Sequence, residues 1–186
     1  MQLVVPSLDR LDAYADALRR GFWSDNIRRE ESAREELAKI AGDPAAFVAS
    51  LNDREAKAGP ITLPDGSKVL RLPGYRRWMW EDGDPGEFCG QIGFRWQPGT
   101  ATLPPYVLGH VGYAVVPWKE GRGYASRALA LLLPECRREQ LEYIELTTDP
   151  DNAASQKVIT KNGGTLIARF TADRYGKDQL RFRIPL

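Results

Sequence analysis

The run Gly109-His110-Val111-Gly112-Tyr113-Ala114-Val115-Val116-Pro117-Trp118-Lys119-Glu120-Gly121-Arg122-Gly123-Tyr124-Ala125-Ser126 sets the architecture of the second half of the chain. It reads as a strand, a turn begun by Pro117, a glycine-rich loop and the start of a helix. Such a loop presents backbone N–H groups with no side chain in the way. The helix behind it adds the positive end of its dipole, so the unit suits a phosphate or pyrophosphate.

Outward from this run, the helix extends over about 123–139. Ala125, Ala128, Leu129, Leu132, Leu133 and Cys136 recur at helical spacing and form a buried stripe. Pro134 lies inside it and predicts a kink near Ala130 to Pro134, because proline cannot donate to the carbonyl four residues back. Tyr143 to Thr148 is a short strand, and Pro150-Asp151-Asn152 leads into a helix to about Asn162, stopped by Gly163-Gly164. Thr165 to Phe170 and Gln179 to Ile184 are the last two strands. The strand–helix–strand unit over 107–148 predicts two parallel strands joined by a right-handed crossover.

Upstream, Leu3-Val4-Val5 is a short strand, 7–20 an amphipathic helix, and about 27–40 a charged helix. Asp43-Pro44 starts a third, with Asp as N-cap and Pro at the first helical position. Ala58 to Ser67 reads as loop. Val69 to Leu72, Tyr75 to Trp80, Glu87 to Trp96 and Val107 to Val116 are extended, with a turn over Asp82-Gly83-Asp84-Pro85-Gly86, which suggests an antiparallel meander. The expectation is one α/β domain over 1–186, with a mixed, mostly antiparallel sheet of about six or seven strands and helices on both faces.

Composition narrows the function. The chain has 186 residues, 42% hydrophobic and 27% charged, with a net charge of +1 and no large basic cluster, which argues against nucleic acid as partner. Two cysteines, Cys89 and Cys136, and a single histidine are too few for a disulfide framework or a zinc site, so the cysteines read as structural and no metal is expected. Met1 to Pro6 is not a signal peptide, and no apolar run approaches the roughly 20 residues that span a bilayer. A cytoplasmic protein without membrane contact is the expectation.

The glycine loop has several readings. A P-loop requires Lys-Ser/Thr after the glycines, which is absent. The dinucleotide fingerprint matches Gly121 and Gly123 but has Ser126 at its third position, and no early βαβ unit precedes it. An ordinary strand–helix turn relieved by glycine stays open for the loop alone.

The loop is not alone, however. Glu120-Gly121-Arg122-Gly123-Tyr124-Ala125, three residues past Pro117, resembles the Arg/Gln-x-x-Gly-x-Gly/Ala motif of the GNAT superfamily of acetyl-CoA-dependent N-acetyltransferases. Asp151-Asn152-Ala153-Ala154-Ser155 followed by Lys161-Asn162-Gly163 resembles that family's second motif, and the order of elements fits its fold. Within it, the chain resembles a bacterial group of predicted acetyltransferases with undefined substrates.

The resemblance implies that the N–H groups of Gly121, Arg122, Gly123, Tyr124, Ala125 and Ser126 hold the CoA pyrophosphate. It places the pantetheine arm beside Tyr113, Ala114 and Val115, where this strand and the next splay apart, and gives Asn152 a contact to that arm. Helix N-capping is an equal reading of Asn152. It also implies an amine acceptor, small or peptidic, walled by about 21–60, and allows a homodimer. Two positions depart from the family: Glu120 stands where Arg or Gln is usual, and Ile159 where many members carry a proton-donating Tyr.

The implied chemistry is direct attack of an amine on the thioester, with no covalent enzyme intermediate. It needs placement of the amine, loss of its proton and polarisation of the carbonyl. His110, which titrates near neutral pH, and Glu145 on the next strand are the candidate catalytic bases; Glu87 and a water chain are weaker ones. Alternation could bring Trp78, Trp80 or Trp96 over the acceptor cleft. A non-catalytic acyl-CoA-binding module on the same fold is the alternative.

Overall fold

Strand β1 (Gln2–Val4) and a single 3-10 turn (Leu8–Arg10) lead into helix α1 (Leu11–Arg19), in a computed structural model that describes residues 1–63, 65–83, 86–172 and 176–186. Helices α2 (Arg29–Gly42) and α3 (Pro44–Ser50) follow. The Asp43 carboxylate accepts from the Ala46 N–H at 2.9 Å, so the Asp-Pro start acts as read. A two-residue strand β2 (Asn52–Asp53) comes next. The expected 58–67 loop instead contributes β3 (Ile61–Thr62), which pairs with β4 (Lys68–Val69). Short strands β2 to β4 carry too few side chains to leave a periodic signal.

The meander is β5 (Gly74–Glu81), β6 (Glu87–Arg95) and β7 (Val111–Val115), all antiparallel. Of the turn expected between β5 and β6, Asp84 and Pro85 lie outside the described residues. Helix α4 (Tyr124–Arg138) runs unbroken through Pro134. It is followed by β8 (Tyr143–Thr148), α5 (Ala153–Lys161), β9 (Thr165–Ala172) and β10 (Lys177–Pro185).

The main correction concerns β7 and β8, which were expected to pair in one mixed sheet. Two antiparallel sheets form instead, ordered β1-β5-β6-β7 (with β2 beside β5) and β8-β10-β9. The expected strand over 107–116 shortens to five residues. Its lost first turn is spent on the junction between the sheets. The His110 N–H donates to the Glu145 carbonyl at 2.7 Å. A Cβ on Gly109 would lie 3.0 Å from that same carbonyl oxygen, a tight contact that glycine avoids where the two backbones meet. Past this point β7 and β8 share no ladder.

Two cores cover the two faces. Ala128, Leu129, Leu132 and Cys136 of α4 pack on Met79, Cys89 and Ile92 of the first sheet and on Ile144, Leu146 and Ile184 of the second. Helix α4 therefore bridges the gap between the sheets. On the opposite face Leu11, Tyr14 and Leu18 pack with Phe22, Phe47, Trp78, Trp80 and Phe88. Tyr14 stacks on Trp78 with ring centroids 5.0 Å apart. The three tryptophans considered for the acceptor cleft are thus core residues, none more than 9% exposed. Both cysteines are free and buried.

Candidate active site

The glycine loop hangs between two fixed points. Before it, the Val116 N–H donates to the Cys89 carbonyl at 3.0 Å, and Pro117–Lys119 forms a 3-10 turn. After it, α4 begins at Tyr124, whose side chain is buried. Gly121 (φ 75°) and Gly123 (φ 79°) are both left-handed, and a Cβ built on either meets nothing within 4 Å. The demand for glycine here is therefore conformational on the protein side, and the space above the loop is open. Gly123 caps α4 without any side-chain hydrogen bond. The first-turn N–H groups of Tyr124, Ala125 and Ser126 are not capped by side chains, the condition under which a helix terminus binds an anion. The residues present thus fit a pyrophosphate.

Glu120, the family departure, is exposed, and among the described residues no cation stands within ion-pair distance of it. Neither Lys119 nor Arg122 pairs with it. The Lys119 ammonium turns inward instead, to Glu81 and Glu87, at 2.7 Å each. Sequence reasoning gave this lysine no such role, because its partners lie 38 and 32 residues upstream on another hairpin.

Tyr113, Ala114 and Val115 form the end of β7, which pairs with β6 on one side and, among the described residues, with no strand on the other. The Tyr113 ring reaches across the gap, and its hydroxyl lies 2.7 Å from Ser155 Oγ. Burial pushes this phenol up to about 12, against the Ser155 hydrogen bond, which works the other way. Asn152 caps α5: its Oδ1 accepts from the Ser155 N–H at 2.9 Å. Asn162, at the far end of α5, donates through Nδ2 to the Ser126 carbonyl at 3.1 Å and so ties the second motif to the first turn of α4. The glycine loop, Tyr113, Ser155 and Asn152 thus gather around the ends of β7 and β8.

His110 and Glu145 sit at the other end of the gap, where the sheets touch. His110 is fully buried. Its Nδ1 accepts from the Glu145 N–H at 2.9 Å, which leaves the ring proton on Nε2. Burial is the main cause that lowers its pKa to about 4, so the ring is neutral. Glu145 is 9% exposed. Its carboxylate accepts from Arg183 at 2.6 Å and lies 3.6 Å from Arg181 Nε. Ile159 is wholly buried in the core, with no hydroxyl to offer. Glu87, the weaker candidate, is engaged by Lys119.

On the α1–α3 face, Arg76, Gly93 and Gly112 form one row across β5, β6 and β7. Gly112 is exposed while Arg76 and Gly93 are half-buried, so the helices that cover Trp78 and Trp80 leave the Gly112 end of this row uncovered. One wall is Glu36 of α2, which accepts from Arg76 at 2.8 Å, from Ser24 at 2.8 Å, and from the Tyr14 hydroxyl. Among the described residues no group of side chains could hold a metal ion, and no helix is long and apolar enough to cross a membrane.

Comparison with known proteins agrees with this geometry. No curated protein sequence matches the chain. Among solved structures it is similar to the Salmonella typhimurium acetyl transferase that modifies the N-terminal serine of a ribosomal subunit protein (16% identity, 99% of this chain and 94% of that one, TM-score 0.63). It is also similar to a variant of spermidine N-acetyltransferase from Vibrio cholerae (13%, 100% and 95%, TM-score 0.58). A GNAT-family acetyltransferase from Bacillus anthracis is a third (16%, 98% and 93%, TM-score 0.58). At these identities the likeness is one of fold. Residues 26–165 match the family model for the acetyltransferase (GNAT) domain, which takes in both motifs and the sheet junction, so the chain belongs to the GNAT acetyltransferase family.

Proposed function

We propose that the protein transfers the acetyl group of acetyl-CoA to a primary amine by direct attack. The observation that carries this reading is the open loop with left-handed Gly121 and Gly123 on an uncapped helix start, beside a strand edge that, among the described residues, no other strand occupies. In this reading the N–H groups of 121–126 hold the pyrophosphate, the edge of Tyr113, Ala114 and Val115 holds the pantetheine arm, and the thioester lies in the gap. Asn152 serves α5 as its cap and meets the arm from there. The amine reaches the thioester over the uncovered Gly112 end of the row.

The amine proton goes to water rather than to His110, whose Nδ1 lone pair is already taken and whose Nε2 carries a proton. Glu145 orients the second sheet through Arg183 and Arg181 instead of meeting the substrate. The thiolate leaves without a tyrosine acid at 159. The buried Ile159 is also the observation that favours the second reading, an acyl-CoA-binding module without turnover.

Calorimetric titration with acetyl-CoA, with NAD as comparator, tests the donor. Thiol release against a panel of amino acids, peptides and polyamines tests the transfer. Micromolar binding with turnover of any amine supports the enzyme; binding without turnover favours the module. Silence toward acetyl-CoA overturns both.

A further inference from the structure

The last pair of the β5–β6 ladder sets Glu81 directly opposite Glu87. Like charges at such positions repel. The Lys119 ammonium lies between them, 2.7 Å from an oxygen of each, and 3.5 Å from Cys89 Sγ. Its side chain is only 5% exposed, although both glutamates reach solvent. Burial works against the charge on Lys119, but the two carboxylates outweigh it and hold the amine protonated.

The positions of these groups along the chain give the triad its meaning. Lys119 is the last residue before loop 120–123, and Tyr124 is the first after it. The Tyr124 ring faces the same ammonium, with its centroid 5.7 Å from Lys119 Nζ. Lys119, fixed by Glu81 and Glu87 and set against the Tyr124 ring, therefore ties both ends of the glycine loop to the β5–β6 hairpin. Within the loop Glu120, Gly121, Arg122 and Gly123 are all exposed, and among the described residues no ion pair holds Glu120 or Arg122.

We infer that Glu81 and Lys119, with Glu87, form a clamp that sets the conformation of the acetyl-CoA loop, and that both are positioning residues for the pyrophosphate. The inference rests on the proposed use of this loop for acetyl-CoA. A clamp and a simple field effect predict opposite signs. Glu81 is a negative charge near the place of a polyanion, so through space its removal strengthens binding. As a clamp, its removal frees the loop and weakens binding.

The experiment is calorimetric titration of acetyl-CoA into the wild-type protein, Glu81→Ala and Lys119→Met, with steady-state kinetics on any amine that turns over. The clamp predicts about tenfold weaker binding for both variants, read also as a raised KM with kcat within about twofold, since loop order acts on cofactor placement. Unchanged or tighter binding by Glu81→Ala overturns it. If Lys119→Met does not fold, Glu81→Ala decides alone, because that side chain is 44% exposed. A wild-type protein silent toward acetyl-CoA overturns the cofactor reading and the clamp together. Wild-type binding with an indifferent Glu81→Ala overturns the clamp only.

Discussion

Gly123 and Gly164 need glycine for different reasons, and substitutions separate them. At Gly123 the space is open but φ is 79°, which an L residue adopts at a cost of roughly 1–2 kcal/mol. A bulky side chain would also stand over the helix start. Gly123→Val is therefore expected to raise the acetyl-CoA dissociation constant at least about tenfold, with only a modest fall in thermal midpoint. Unchanged affinity by calorimetry would remove the loop from the cofactor site. At Gly164 a Cβ would lie 2.4 Å from Ile159 Cγ2 and 2.9 Å from the Ile159 carbonyl oxygen. Gly164→Ala is expected to cost about 1–3 kcal/mol in urea unfolding through overpacking. A cost near zero would mean that the α5–β9 turn shifts freely.

At the scale of elements, helices α1 and α2 meet the sheet through one buried carboxylate. Glu36 takes hydrogen bonds from Tyr14 of α1, Ser24 of the connecting segment and Arg76 of β5. Removing it leaves a buried hydroxyl and a guanidinium without their partner, the case in which breaking a pair is most costly. Glu36→Ala is expected to destabilise by about 3 kcal/mol, and Glu36→Gln by less, since an amide oxygen still accepts. Equal stability of Glu36→Ala and wild type in denaturant would show that the wall of the row from Arg76 to Gly112 does not depend on this cluster. Sequence reading found α4 and α5 readily because their apolar stripes are long. It missed β3 and set the extended stretch of β4 at 69–72 instead of Lys68–Val69, because the pairing of such short strands depends on a partner rather than on a pattern.

At the scale of the whole molecule, the two sheets are joined by α4 and by the Gly109–His110 contact with β8. His110 therefore links their association to pH. Its folded pKa is about 4, below the ordinary 6.5, so the unfolded chain binds the proton more tightly. The stability this contributes is fully present above pH 6.5 and is lost as pH falls toward 4. Wild type is expected to lose about 2 kcal/mol from this group between pH 7 and pH 5. His110→Phe should lack that component, and its pH–rate profile should show no lost inflection near neutrality. A wild-type rate titrating near pH 6.5 that vanishes in the variant would restore His110 as the base.

What the sequence determined by itself was whatever local chemistry dictates. Glycines at 121 and 123 before an apolar helix, Asp43-Pro44 at a helix start and Asn152 as a cap all act through neighbours a few residues away. The acetyltransferase fold followed from the resemblance of two such motifs, in their order, to those of one family. Only the tertiary structure decided the rest, because it depends on which distant groups share a buried space. Lys119 is the counterion of two glutamates from another hairpin. His110 was read from its residue type as a candidate base, and only the fold shows that its ring is buried at the sheet junction with Nδ1 accepting from the Glu145 N–H. The expected single sheet became two, because one backbone contact at Gly109 and His110 replaces a ladder and leaves the gap open beyond it.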